Sequence, residues 1–166
     1  MSTASDTLAA DLRAVCGERI VLHPSGLNEL SAEVPSADLL AVAALLRDAP
    51  TLQFAQLIDV AGVDFLDYGR SEWQAQGATG SGFSRGVDRA AGHTLRGERR
   101  FAVVYQLLSV VHNRRVRLRV WCEAGADPVV DSVTGVWAGA NWFEREAFDL
   151  FGILFRGHPD LRRLLT

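Results

Sequence analysis

Residues 101–121 read FAVVYQLLSVVHNRRVRLRVW, and this stretch decides the fold. Phe101, Val103, Tyr105 and Leu107 fall on one side of an extended chain; Ala102, Val104, Gln106 and Leu108 fall on the other. A strand so apolar on both sides belongs in the middle of a sheet. Beyond a turn through His112 and Asn113, Val116, Leu118 and Val120 alternate with Arg115, Arg117 and Arg119. That second strand turns one face inward and sets a row of cations outward. So short a link makes the pair an antiparallel hairpin.

Upstream, the pattern predicts a helix from about Asp6 to Cys16, with Leu8, Leu12, Val15 and Cys16 on one face and Gly17 as its stop. Arg19–His23 reads as a short strand closed by Pro24-Ser25-Gly26. Asn28–Val34 alternates, with Leu30, Ala32 and Val34 against Glu29, Ser31 and Glu33, as a half-buried strand does. Ser36 is placed to cap a helix through about Arg47, with Leu39, Val42, Ala43 and Leu46 as its buried stripe and Pro50 beyond its end. A helical turn at Leu52–Leu57 is expected to lead into a strand at Ile58–Phe65. Residues 68–99 carry seven Gly and no period, and read as an exposed loop. The fragment Gly77–Gly82 within it, GATGSG, lacks the spacing and the strand–turn–helix setting of a phosphate-binding turn. The expected fold is a single α+β domain over residues 1–166. It is a two-layer sandwich with a mixed, mostly antiparallel sheet and helices packed on one face.

Composition narrows the chemistry. Hydrophobic residues are 48% and charged residues 22%, a globular balance that supports a sizeable core. All 17 basic residues are Arg, so a Walker-type phosphate loop and Schiff-base lysine chemistry are both excluded. Cys16 and Cys122 stand far apart, so the chain cannot hold an iron–sulfur cluster by itself, and both read as small core residues. No secretory leader pattern follows Met1, and the longest apolar run is Leu39–Leu46. About 20 such residues are needed to span a bilayer, so membrane association is expected only through a partner. Residues 1–67 carry ten acids and three Arg, whereas residues 68–120 carry three acids and ten Arg. Such asymmetry suggests oriented docking. Overall acidity (pI about 5.8) and the lack of interleaved stacking aromatics argue against nucleic acid.

From Asn141 the sequence reads NWFEREAFDLFGILFRGHPDLRRLLT. Asn141 and Glu144 have the spacing of a capping box, and Gly152 is placed to end the helix. Phe143, Ala147 and Leu150 form an apolar stripe, and Arg145 and Asp149 are spaced for an ion pair. Gly157-His158-Pro159-Asp160 is a turn, followed by Arg162 and Arg163; His158 is expected to hydrogen-bond to backbone. A hydrolytic metal held by Glu146, Asp149 and His158 is conceivable, but no second His stands at ligand spacing. Glu144 and Glu146 diverge by about 200° on a helix and cannot share an ion.

The run from Asn141 to Leu165 resembles the signature of the C subunit of bacterial NADH–quinone oxidoreductase, respiratory complex I. The resemblance is carried by Glu144-Arg145-Glu146, Phe148-Asp149-Leu150-Phe151-Gly152-Ile153, Phe155, Gly157-His158-Pro159-Asp160-Leu161 and Arg163. Val133–Trp142, Phe101–Asn113 and Val63–Gln74 extend it, the last in the manner of the proteobacterial branch. Family members commonly run on into an extended tail that does not follow Thr166 here. The resemblance implies a structural subunit of the peripheral arm without a cofactor of its own. It would pack beside the D and B subunits, in a hetero-oligomer on the cytoplasmic side of the bacterial inner membrane. Partner subunits would hold NADH, FMN, the iron–sulfur clusters and quinone. The expected interface residues are Glu144, Arg145, Glu146, Asp149, His158, Asp160, Arg162 and Arg163. A homologous subunit of an energy-converting hydrogenase or ferredoxin-fed relative is the nearer alternative, and a stand-alone metal-dependent hydrolase the farther one.

Overall fold

The structure is a computed structural model that describes residues 4–24, 30–66, 99–123, 125 and 127–165. The loop expected at residues 68–99 falls almost wholly outside these residues. Helix α1 (Ala4–Cys16) buries Leu8, Leu12 and Cys16, one residue per turn along a single face, and Gly17 ends it at a φ of +62°. Strands β1 (Val21–Pro24) and β2 (Leu30–Val34) follow; β1 starts two residues after the expected Arg19, which closes a 3-10 turn, and the expected Asn28 and Glu29 lie outside the described residues. Helix α2 (Leu39–Asp48) buries the expected Leu39, Val42, Ala43 and Leu46. Ser36 does not cap it: a 3-10 turn over Ser36–Asp38 comes first, and the Ser36 hydroxyl donates to Glu123 Oε1 at 3.3 Å.

The expected helical turn at Leu52–Leu57 sits earlier. The amides of Leu52 and Gln53 both donate to Ala49, and a φ of +46° at Gln53 breaks the turn. The chain is then extended from Gln56, because Leu52 and Phe54 already fill the core on either side of that break. Strands β3 (Gln56–Asp64), β4 (Phe101–Ser109) and β5 (Arg114–Trp121) complete the main sheet, in spatial order β1-β2-β5-β4-β3. All its pairings are antiparallel except β2 with β5, so the sheet is mixed and mostly antiparallel, as expected. A further pair of three-residue parallel strands, β6 (Val129–Asp131) and β7 (Leu154–Arg156), flanks helix α3 (Ala140–Phe151) in the chain. Three residues carry too little alternation to be seen in sequence.

One hydrophobic core joins the inward face of the sheet to all three helices. Val34, Val60, Val103, Tyr105, Leu107, Leu118 and Val120 supply the sheet side. Gly62 lets α3 approach β3: a Cβ there would lie 2.6 Å from Cδ2 of Phe151. On the outward face the arginine row is partly neutralised. Arg119 pairs with Glu33 at 2.7 Å and Arg99 approaches the same carboxylate at 3.6 Å. Burial pushes the Glu33 carboxyl up, but the Arg119 hydrogen bond and the two arginine charges hold it below the usual range.

Candidate interface around the last helix

Helix α3 begins two residues earlier than the capping box requires. Gly139 is its N-cap, with no side-chain cap bond, and the amides of Ala140 and Asn141 donate to Trp137 and Ala138. Asn141 is thus inside the first turn and cannot cap it, which frees Glu144 for another role. The other end matches expectation: Gly152 adopts the left-handed conformation and its amide donates to Phe148.

Glu144 points into the core and is fully buried. Its Oε2 accepts from the Ser132 hydroxyl at 2.6 Å, and its Oε1 accepts from the Val133 amide at 2.8 Å. Desolvation pushes its carboxyl up to about 7, even though both hydrogen bonds favour the anion. His158, whose side chain is equally closed off, brings Nε2 to 4.0 Å from Glu144 Oε2. The Asp160 amide donates to His158 Nδ1 at 3.0 Å. The ring proton therefore sits on Nε2, which lies 3.1 Å from the Asn141 carbonyl. The expectation that His158 bonds to backbone holds on both ring nitrogens. Glu144 thereby ties the turn after β6, and His158 the turn after β7, to the same helix.

Two further side chains of α3 hold the segment after that turn. Arg145 Nε donates to the Arg162 carbonyl at 3.0 Å, and Nη2 reaches the Arg163 carbonyl at 3.5 Å. Asp149 Oδ2 accepts from the amides of Leu164 and Leu165 at 2.9 and 2.6 Å. The spacing read as an ion pair serves a strap: two charges one helical turn apart bind four successive residues.

The outward stripe of α3 is Trp142, Glu146 and Leu150, all exposed, with Trp142 at 64% and Leu150 at 55%. The Arg145 guanidinium lies 4.9 Å from the Trp142 ring centroid. Asp160 is half-buried and pairs with exposed Arg162 at 2.7 Å; Arg163 is exposed. The eight residues expected at an interface thus divide. Glu146, Arg162 and Arg163 present themselves outward. Glu144, Arg145 and His158 are internal struts, and Asp149 and Asp160 stand between. Among the described residues no group of three or more His, Cys, Asp and Glu is placed to hold a metal, so Glu146, Asp149 and His158 do not assemble into one site.

Sequence reading missed Ser132, whose hydroxyl also bonds with Thr134 at 2.8 Å, and Tyr105, fully buried beneath this network. Desolvation, with Glu144 adding repulsion, pushes the Tyr105 hydroxyl well above its usual range, and burial pushes the Cys122 thiol up to about 12. The one available signal was Tyr105 amid aliphatic neighbours in a central strand.

The fold defines the class first. It is similar to a trypsin-resistant fragment of Nqo5, with a TM-score of 0.63 and 28% identity over 93% of this chain and 99% of that one. It also shares its fold, at a TM-score of 0.68 and 12% identity, with a chain of a membrane-bound sulfane sulfur reductase, an archaeal respiratory membrane complex. The family model "Respiratory-chain NADH dehydrogenase, 30 Kd subunit" matches residues 32–166, and the chain belongs to that family. The C subunit of the NADH-quinone oxidoreductase of Halorhodospira halophila is 49% identical over 97% of this chain and 71% of its own length. The corresponding subunit of Hydrogenovibrio crunogenus is 51% identical over 96% of this chain and 72% of its own, and that of Legionella pneumophila strain Corby 46% over 99% and 72%. Among the described residues no helix is long and apolar enough to cross a membrane.

Proposed function

We propose that this subunit of NADH–quinone oxidoreductase is a non-catalytic scaffold of the peripheral arm, on the cytoplasmic side of the inner membrane. It supports electron transfer from NADH to quinone by packing against the D and B subunits that form the quinone site. NADH, FMN, the iron–sulfur clusters and quinone are held by partner subunits. The observation that carries this reading is the exposed Trp142–Glu146–Leu150 stripe, set on a helix that is locked from within by Glu144 and His158. An aromatic anchor on a rigid element, with polar neighbours, is what a protein interface uses. Glu146, Arg162 and Arg163 make the polar contacts; Arg145 and Asp149 hold the strap from which the last two project.

The names of the relatives support NADH–quinone oxidoreductase over a hydrogenase-linked machine. The test is a native gel of mildly solubilised membranes from cells carrying the tagged chain, one lane stained for NADH-dependent dye reduction and its twin probed for the tag. Comigration in one very large band is expected. A tag found only as a small species overturns the reading.

A further inference from the structure

The Glu144 carboxyl is shut in the core without a cation bonded to it. Among the described residues its partners are the Ser132 hydroxyl, the Val133 amide and the His158 ring. The charged and titratable groups on the elements around it are engaged elsewhere or held neutral. On α3, Arg145 donates to the carbonyls of Arg162 and Arg163. On β6, Asp131 accepts from Arg156, and on α2, Arg47 serves Asp48 and the Val136 carbonyl. Asp160 pairs with Arg162. Burial keeps the Tyr105 hydroxyl and the Cys122 thiol protonated.

His158 cannot become the missing cation while its turn is intact. Its Nδ1 already accepts from the Asp160 amide at 3.0 Å, and a second ring proton would expel that bond. The ring is therefore a neutral donor. Its Nε2–H lies between two acceptors, the Asn141 carbonyl at 3.1 Å and Glu144 Oε2 at 4.0 Å.

Two hydroxyls lead outward from the carboxyl. Ser132 Oγ is 2.6 Å from Glu144 Oε2 and 2.8 Å from Thr134 Oγ1, and it accepts from the Thr134 amide at 3.2 Å. Thr134 is partly exposed. This chain is satisfied in both directions. With Glu144 ionised, Thr134 O–H donates to Ser132 and Ser132 O–H donates to Oε2. With Glu144 protonated, Oε2–H donates to Ser132 and Ser132 O–H donates to Thr134. Oε1 faces an amide that only donates, so the proton belongs on Oε2.

We propose that Glu144, Ser132, Thr134 and His158 form a one-proton switch: the proton leaves Oε2 along the two hydroxyls to solvent, and His158 Nε2–H then moves from the Asn141 carbonyl to the Glu144 carboxylate. Each hydroxyl receives one proton and passes one on, so both end neutral, water takes the proton and Glu144 keeps the negative charge. The new anion is a stronger acceptor than a helix carbonyl, which moves the ring. Desolvation, which pushes the Glu144 carboxyl up to about 7, sets the changeover near neutral pH. Asn141 lies in the first turn of α3 beside Trp142, so the change reaches the aromatic end of the exposed stripe. That last consequence deepens the reading of the stripe as an interface and rests on it; the switch itself needs no partner.

The test follows the isotope-labelled full chain by NMR from pH 5 to pH 9. The Glu144 carboxyl carbon should titrate near neutral pH, the His158 Nε2–H and Trp142 indole signals should shift with the same midpoint, and His158 Nδ1 should stay unprotonated throughout. Glu144→Gln should hold the His158 signal constant. Thr134→Val should lower the midpoint by about half a unit or more, because only the protonated state needs Thr134 as an acceptor. A His158 signal that is flat with pH in the unaltered chain overturns the switch, as does a second proton on Nδ1 at the Glu144 midpoint. An unchanged midpoint in Thr134→Val overturns the hydroxyl path. A Trp142 signal that ignores a titration His158 follows overturns the link to the stripe. Failure of the chain to enter the native band would overturn the interface reading and leave these signals as they are.

Discussion

His158 Nε2 stands 4.0 Å from the Glu144 carboxylate, with both side chains fully closed off from solvent. A carboxylate in this position is supported by two hydrogen bonds and penalised by desolvation, and the penalty is the larger effect.

That balance makes stability depend on pH. The Glu144 carboxyl is raised to about 7 in the fold from 4.5, so the folded state keeps a proton that the unfolded chain releases earlier. The stabilisation is full below about 4.5, is lost as pH rises to about 7, and is worth roughly 3 kcal/mol across that window. Glu144→Gln should flatten this dependence. Urea unfolding at pH 5 and pH 8 checks it; equal pH slopes in the two proteins would remove Glu144 as the source.

Gly62 and Phe151 set a steric prediction. Gly62→Ala places a methyl 2.6 Å from the Phe151 ring and 3.1 Å from Ile153 Cδ1, and should cost about 1–3 kcal/mol. Phe151→Leu in the same chain should recover part of that loss, giving a measurable coupling in a double-mutant cycle. Independent, additive losses would mean the helix does not need this close approach.

The strap offers a proteolytic readout, because Arg162 and Arg163 are trypsin sites. Asp149→Ala leaves the amides of Leu164 and Leu165 without their acceptor and should speed cleavage there about tenfold, corresponding to roughly 1.4 kcal/mol. Glu146→Ala, on the exposed face, should leave cleavage unchanged. Both should lower the yield of assembled enzyme without removing a redox centre. Normal assembly in both variants would refute the assigned interface.

Trp142→Ala separates binding from folding. The ring is largely exposed, so stability of the chain should shift by no more than about 0.5 kcal/mol. Recovery in the large native band should nonetheless fall severalfold. Full recovery would move the contact away from this stripe.

The sheet was legible because burial on one face forces alternation. Leu30, Ala32 and Val34, and Val116, Leu118 and Val120, state their orientation residue by residue. The last helix was legible in its existence and in its stop at Gly152, but its apolar stripe only in part: Ala147 is buried, whereas Leu150 is 55% exposed on the outward face, and Glu144 and Arg145 are buried instead. Its interior was misread because Asn141 and Glu144 fit a local motif, and local spacing cannot register that Ser132 and Val133 come into reach through tertiary packing. The strap was hidden for a similar reason: Arg145 and Asp149 fit each other in sequence, while the backbone groups they bind lie 15 to 18 residues away.

The parallel pairing of β2 with β5 has a consequence for how the chain acquires its structure. β1 with β2, and β4 with β5, are joined by short connections and close locally. Ser31–Val34 must instead find Arg117–Val120, with 86 residues separating Glu33 from its partner Arg119. Closing so long a loop costs entropy before any contact rewards it, so this seam is expected to zip late and to set the folding rate. Until it does, two half-sheets each expose an unpaired edge. During biosynthesis this subunit is most vulnerable to edge-to-edge aggregation in that interval.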